Sequence, residues 1–423
     1  MTVLESASEI GEIGAGIQVL PNSARVLFSW GLKEQLERYA TFPRQCNFIG
    51  WKGNKLSDMN YHQYAKATGA PFMDFHRSNL HQCLLDRTIE LGGKLLTKAR
   101  VEDFVVSGDQ ATATVYLLDG RSMTADLVVG ADGIFSKMRE IFVGRPDPPT
   151  LTGDLAYRLL LNTKEMLKDP ELAPMVEDPQ VNYWLGPDAH AVNYVLRGGE
   201  LFNMVLLVPD DMPADARTLD GNVEEMRALY KDWDPRIPKL LTLCESVQKW
   251  RLCIRPGLEP TWSHPSGAVT LLGDCVHATL PYLASGAGMA LEDAGVLGLC
   301  LAKIQDKSPA SKKLALDVYE QCRRERTERV VQRGSYNQWI YHLHDGDEQQ
   351  QRDKRLKDFE LLDRERLSRP GFCLAACPET GDDPLPWREF GVGRWLLTYE
   401  MEKDIETRWS KAHTSSSEIR ANL

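Results

Sequence analysis

An apolar run that ends at a glycine and an aspartate constrains the fold more than any other part of the chain. Ala268–Leu272 predicts a short buried strand, which carries the carboxylate of Asp274 at its C-terminal end. Open α/β sheets bind their ligands at the carboxyl ends of their strands. The segment therefore predicts an α/β fold with a ligand site at Asp274.

The residue composition of the loop that follows this strand lets its backbone approach a ligand closely. Pro281 fixes one turn, and Gly286, Ala287 and Gly288 precede a helix that is predicted to begin near Met289. A helix start offers unpaired N–H groups to an electron-rich ligand. An ordinary strand-turn-helix is the alternative interpretation.

A second predicted strand, Leu127–Gly130, leads into a Gly-Ala-Asp-Gly turn and a basic helix start. Asp132 in this turn can accept hydrogen bonds from a ribose or order the loop, and Gly133 permits close packing. The alternative is a plain loop in which Ser136 is the N-cap of the next helix.

A third segment begins at His76-Arg77, and its leucines form the apolar stripe of a helix. An arginine at a helix N-terminus is unfavourable against the helix dipole. A bound ligand therefore explains Arg77 better, because its planar and permanently charged guanidinium suits a phosphate or the edge of a ring.

These segments together resemble FAD-dependent aromatic monooxygenases of the salicylate hydroxylase type, in particular fungal members of secondary metabolism. The resemblance covers nearly the whole chain. It implies that Asp274 binds the ribityl chain of FAD, that the loop with Pro281 and Gly286–Gly288 meets the isoalloxazine ring, and that Arg77 reaches the phosphate and ribose region. It also implies that Asp132 takes part in flavin binding.

The same resemblance implies a mechanism. NAD(P)H reduces FAD, the reduced flavin captures O2, and a C4a-hydroperoxide passes one oxygen atom to an electron-rich aromatic ring. The flavin carries this chemistry, while the protein supplies position, electrostatics and the exclusion of water.

The N-terminal segment resembles the family from the second strand of the family's fold onward. Glu5 would bind ribose hydroxyls at the end of that strand, and Gly14, Ala15 and Gly16 would bring the backbone near the flavin. The preceding strand, G-x-G-x-x-G turn and helix, roughly 30 residues, are absent in front of Glu5, so the neighbouring strands would gain open edges. An incomplete sequence and a divergent protein with weakened or lost flavin binding both explain this absence.

Substrate binding is assigned to a region rich in predicted strands and aromatic residues. Arg158, a cation in the first of these strands, is expected to stabilise a phenolate or hold an anionic group. Tyr194 is its expected partner, by similarity to fungal members that pair an arginine and a tyrosine there. The alternatives are a surface salt bridge for Arg158 and core packing for Tyr194.

The predicted architecture is α/β, with a Rossmann-like FAD-binding domain that lacks its N-terminal unit. Residues 1–149 and 251–340 form this domain, residues 150–250 form an inserted and mainly antiparallel substrate-binding sheet, and residues 341–423 form a helical C-terminal region. The charged run 323–329 is predicted to be mostly an exposed helix face with i,i+4 pairing.

Composition excludes several other classes of protein. A net charge of −10 argues against a nucleic-acid partner, and no apolar stretch reaches the length of a membrane-spanning helix. Nine cysteines without framework spacing predict reduced thiols in a cytoplasmic protein and no metal site.

Three functions remain open from the sequence. The first is hydroxylation of a phenol, aromatic acid or polyketide-like ring. The second is epoxidation or oxidation of a non-acidic substrate by a related flavoenzyme. The third is a non-catalytic remnant of the fold, which the missing phosphate-binding turn would explain.

Overall fold

The computed structural model describes residues 1–11, 15–377 and 381–421, with side chains described as far as residue 412. Gly14 therefore lies outside the described residues. The strands are β1 (Thr2–Leu4), β2 (Gly16–Val19), β3 (Gln45–Gly50), β4 (Lys55–Asn60), β5 (Met73–His76), β6 (Lys94–Leu96), β7 (Val101–Val106), β8 (Ala113–Leu117), β9 (Ser122–Ala125), β10 (Val128–Gly130), β11 (Thr150–Asn162), β12 (Val181–Gly186), β13 (Ala189–Leu196), β14 (Leu201–Pro209), β15 (Thr218–Gly221), β16 (Val247–Ile254) and β17 (Val269–Leu271).

The helices lie between these strands and over the C-terminal third of the chain. They are α1 (Pro21–Ser29), α2 (Lys33–Glu37), α3 (Tyr61–Thr68), α4 (Arg77–Glu90), α5 (Lys137–Val143), α6 (Thr163–Met166), α7 (Ala173–Glu177), α8 (Val223–Leu229), α9 (Arg236–Leu241), α10 (Asp274–His277), α11 (Gly286–Ala302), α12 (Pro309–Tyr341), α13 (Asp347–Leu367), α14 (Gly393–Leu397) and α15 (Met401–Ala421). In the described residues, no helix is long and apolar enough to cross a membrane.

Two parallel strand pairs form the α/β part of the molecule, as the sequence predicts. Strand β1 pairs with β6, and β10 pairs with β17. Among the described strands none joins the two pairs, so each keeps an open edge, and Val3 and Val129 are exposed there. The β10–β17 pair brings the start of the Asp132 turn beside the end of the strand that precedes Asp274.

A large sheet with the strand order β15-β16-β11-β14-β13-β12-β3-β4 forms the second layer. It is antiparallel except where β12 pairs with β3. Strands β11 to β14 lie within residues 150–250, where the sequence predicts an inserted and mainly antiparallel sheet. Strands β3 and β4 also belong to this sheet, although they come from the part of the chain assigned to the FAD-binding domain.

The two faces of this sheet bury different partners, because side chains alternate along each strand. Ala156 and Tyr194 share one core with Leu280, Leu283 and Met289 of the loop after α10 and the start of α11. The opposite face packs on helices α6 to α9. The glycine-containing loop therefore lies against the face of the sheet that carries Tyr194.

Two arginines of helix α12 are buried, although the sequence predicts that they lie mostly on an exposed face. Arg323 and Arg326 are buried, and both form ion pairs with Glu292 of α11. Arg323 also pairs with Asp293. The prediction is wrong here because the partners that neutralise these charges lie about thirty residues earlier in the chain, outside any i,i+4 spacing.

Candidate active site

The strand that precedes Asp274 is buried throughout, and the turn after it requires a glycine. Gly273 has φ 69° and ψ −142°, which a residue with a side chain rarely adopts. This turn places Asp274 as the first residue of α10, with its side chain exposed to solvent. Its carboxylate has no hydrogen-bond or ion-pair partner in the described part of the chain. Although the side chain reaches solvent, the surrounding protein partly desolvates the carboxyl and raises the pKa of Asp274, and His277 and Arg77 counteract this.

Asp293 of α11 holds this turn in place through its carboxylate. The sequence did not indicate this role. The carboxylate accepts the backbone N–H of Gly273 at 3.0 Å and lies 2.6 Å from His277 Nε2 and 2.7 Å from Arg323 Nε. Burial raises the pKa of Asp293, but His277 and Arg323 outweigh it and hold the pKa at about 2. His277 is fully buried, so it braces its loop and does not line the site.

Helix α11 begins at Gly286, three residues before the predicted start. Its N-cap, Ser285, makes no capping hydrogen bond with its side chain, because the hydroxyl donates to Leu283 O instead. The N–H groups of Gly286, Ala287 and Gly288 have no acceptor within the described ranges. Pro281 is exposed at the start of the short 3₁₀ turn that precedes them. The loop therefore presents free backbone donors, as the sequence predicts.

Arg77 begins α4, as predicted, and its backbone N–H donates to Ala15 O at 2.9 Å. The side chain is exposed and has no ion pair with any residue that the structure describes. The positive charge of Arg77 lowers the pKa of Asp274 and also lowers the pKa of Arg158, so Arg77 is close enough to interact with both.

Gly16 and Tyr194 are in direct contact where strand β2 meets the large sheet. A Cβ atom on Gly16 would lie 2.3 Å from Tyr194 Cε2, so only glycine fits against this ring. The Gly16 N–H donates to Asn203 Oδ1 at 2.9 Å. Tyr194 is 5 % exposed, and its hydroxyl has no hydrogen-bond partner among the described residues.

Arg158 lies on the same face of the sheet as Tyr194. Tyr194 pairs with Asn203, which pairs with Leu160, two residues from Arg158 along β11. Sheet spacings put the Cα atoms of Arg158 and Tyr194 roughly 12 Å apart. Arg158 is half-buried and forms no salt bridge in the described ranges, so the predicted alternative of a surface ion pair does not apply. Burial lowers the pKa of Arg158, and Arg77 adds to this.

Glu5 and Asp132 both bond to their own loops. Glu5 follows β1, and its carboxylate accepts the N–H of Ala7 at 2.7 Å. Asp132 accepts the N–H groups of Lys137 and Met138 at 2.7 and 2.9 Å. Asp132 therefore orders the loop at the start of α5, which is one of the two roles that the sequence leaves open for it, and flavin binding by Asp132 stays a prediction.

Comparison with known proteins decides the family. The model of a family described as FAD binding domain matches residues 2–334. This chain belongs to the FAD-dependent monooxygenases. It is 38% identical over 371 residues to the FAD-dependent monooxygenase OpS4 of Beauveria bassiana (strain ARSEF 2860), covering 87% of this chain and 86% of that one.

Further relatives of this monooxygenase have names that describe the hydroxylation of aromatic rings. The 3-hydroxybenzoate 6-hydroxylase of Polaromonas naphthalenivorans (strain CJ2) is 32% identical, covering 80% of this chain and 82% of that one. A salicylate hydroxylase substrate complex has the same fold, with a TM-score of 0.74 at 21% identity over 96% of this chain and 97% of the other. The predicted fold and family are thereby confirmed.

The side chains and backbone groups of this monooxygenase fit FAD. The free N–H groups at the start of α11 suit the electron-rich edge of an isoalloxazine ring. Asp274 and Arg77, both without partners in the described structure, offer an acceptor for ribityl hydroxyls and a cation for phosphate. Gly286 leaves space in front of the loop, because a Cβ atom there would meet nothing closer than Thr279 Cγ2 at 3.7 Å.

Proposed function

We propose that this monooxygenase uses NAD(P)H, FAD and O2 to hydroxylate an aromatic substrate that carries a phenolate or another anionic group. The observation that carries this proposal is the half-buried guanidinium of Arg158, which has no anionic partner among the described residues. A buried charge is costly when it is unpaired, so a site of this kind is suited to an anionic ligand.

At the cofactor end of the site, we assign contacts to FAD on the basis of free donors and acceptors. Asp274 would accept the ribityl hydroxyls, Arg77 would pair with the phosphates, and Glu5 would reach the ribose with Oε2, the carboxylate oxygen that does not accept from Ala7. Pro281 and the N–H groups of Gly286–Gly288 would lie against the ring. FAD, when bound, supplies the chemistry, since it takes up hydride from NAD(P)H and activates O2 for transfer of one oxygen atom.

At the substrate end, Arg158 would stabilise the anionic form of the substrate, and Tyr194 would orient it. Burial raises the pKa of Tyr194, so its hydroxyl stays protonated near neutral pH and can donate a hydrogen bond. The names of the relatives support an aromatic acid, because they include 3-hydroxybenzoate 6-hydroxylase and 3-amino-4-hydroxybenzoate 2-monooxygenase. The nine free thiols support a reducing, cytoplasmic location.

The test compares the wild-type enzyme with Arg158→Ala on salicylate, 3-hydroxybenzoate and phenol. NAD(P)H oxidation, O2 uptake and product mass are measured together, because hydroxylation must add one oxygen atom for each coupled turnover. We expect Arg158→Ala to retain flavin and to lose about 100-fold in hydroxylation of the acids. Unchanged turnover in this variant would show that Arg158 does not bind the substrate. Turnover of neutral substrates alone would favour the alternative function, in which a related flavoenzyme acts on non-acidic compounds.

A further inference from the structure

Among the described residues, Arg158 has one close partner, the ring of Trp250. The central carbon of the guanidinium lies 4.4 Å from the centroid of that ring. Trp250 is on β16 and pairs with Ala156, so it is a diagonal neighbour of Arg158 on the same face of the sheet. Both side chains are half-buried.

Two arginines of strand β16 and its C-terminal end, Arg251 and Arg255, have polar partners. Arg251, the next residue on β16, pairs with Asp210 at 2.6 Å and donates to the carbonyl of Met212. Arg255 pairs with Asp147 and donates to Ile134 O. Arg158 differs from both because, across the described ranges, no carboxylate or carbonyl accepts from it.

A ring contact is a suitable support for a guanidinium that must bind something else. The cation lies over the face of the ring, and this contact takes up none of the carboxylate or carbonyl acceptors that a salt bridge would place on its five N–H donors. A salt bridge would hold Arg158 equally well but would occupy those donors and neutralise the charge. The ring of Trp250 therefore fixes the side chain and leaves its hydrogen-bonding edge free.

Residues close to the Arg158 guanidinium are open to solvent. Leu160, two residues further along β11 on the same face, is 42% exposed. Gln248, which pairs with Arg158 across β16, is also exposed. A small planar molecule can therefore approach the guanidinium over this face of the sheet.

We propose that Trp250 is a positioning residue that holds the Arg158 guanidinium by ring contact and so selects aromatic substrates that carry a carboxylate or phenolate. The inference rests on the proposed function, since it assumes that Arg158 binds the substrate. It assigns Trp250 no contact with the reacting atoms, and its effect is expected mainly on substrate affinity.

The test uses Trp250→Leu, Trp250→Phe and an exposed control, Trp339→Leu on α12. With 3-hydroxybenzoate, Trp250→Leu should raise KM about tenfold and change kcat by less than about twofold. Trp250→Phe keeps a ring under the cation and should restore most of the affinity. Trp339→Leu should behave as the wild type.

A second measurement does not depend on turnover. Calorimetric binding of benzoate should weaken in Trp250→Leu, while binding of the neutral analogue benzamide should not change. In an Arg158→Ala background, Trp250→Leu should have no further effect on benzoate, because the residue it positions is gone.

The outcomes separate the two proposals. If Arg158→Ala impairs benzoate binding and Trp250→Leu does not, the role of Trp250 is overturned and the proposed function stands. Equal weakening of benzoate and benzamide would also overturn it, because this would mean a general packing role. If the wild-type enzyme binds no benzoate, or if Arg158→Ala binds it normally, the proposed function itself fails.

Discussion

Asp293 accepts a hydrogen bond from the backbone N–H of Gly273 at 3.0 Å, and this bond ties helix α11 to the turn that carries Asp274. The same carboxylate contacts His277 and Arg323, so three elements meet at one buried charge. The position of Asp274 is thus fixed by residues that do not reach the site themselves.

We predict that Asp293→Asn destabilises the enzyme and weakens FAD binding together. Removing the charge leaves Arg323 with one carboxylate partner fewer inside the protein, and breaking a buried ion pair of this kind costs about 3–5 kcal/mol. Thermal unfolding and FAD titration of the same samples measure both effects. Asp317→Asn is the matched control, because Asp317 pairs with Lys313 on the surface of α12. Unchanged stability and FAD affinity in Asp293→Asn would show that the negative charge of Asp293 is not needed to hold the turn.

Two glycines of α11 should respond in opposite ways to alanine. A Cβ atom on Gly288 would lie 2.4 Å from Ser23 Oγ of α1, whereas a Cβ atom on Gly298 meets nothing within 4 Å. Gly288→Ala should lower the melting temperature and the FAD affinity, because the added methyl group must displace the buried Ser23 hydroxyl or shift the first turn of α11. Gly298→Ala should raise the free energy of unfolding by up to about 1 kcal/mol, since alanine favours a helix interior. Equal effects of the two substitutions on stability would contradict the close packing at Gly288.

Asp74 should make stability depend on pH. It is buried on β5, with one oxygen accepting from Gln18 Nε2 at 3.0 Å and the other without a partner in the described structure. Burial raises the pKa of Asp74 to about 8. A carboxyl with a raised pKa contributes stability that is fully present below its unfolded value of about 4 and is lost as the pH rises through the folded value.

The stability of the wild type should therefore fall between about pH 4 and pH 8, and Asp74→Asn should remove this contribution. We expect the variant to melt a few degrees higher than the wild type at pH 8, with the difference shrinking toward pH 4. Melting curves across this range test the prediction. A difference in melting temperature that stays constant with pH would mean that Asp74 is already ionised in the folded protein.

The sequence predicted those features that depend on local patterns. The strand before Asp274, the helix start at Arg77 and the strands β11 to β14 follow from apolar periodicity and glycine placement. The addition of β3 and β4 to the large sheet was not predicted, because the parallel pairing of β12 with β3 joins segments more than 130 residues apart.

The residues that support the site were harder to predict than the residues that form it. Asp293 and Trp250 act through contacts with Gly273 and Arg158, and such contacts depend on helix packing and strand register. The burial of Arg323 has the same origin, because its charge is neutralised by residues of another helix. Sequence spacing within one element carries no information about these partners.

Titration of the purified protein with FAD tests the central claim most directly. Absorbance between about 300 and 550 nm reports bound flavin, because the cofactor carries the chromophore. We expect FAD to bind in a 1:1 ratio with a perturbed spectrum, and Asp274→Ala to lose this binding while the exposed control Asp215→Ala keeps it. No spectral change in the wild type, or equal FAD binding by Asp274→Ala, would contradict the assignment of this site.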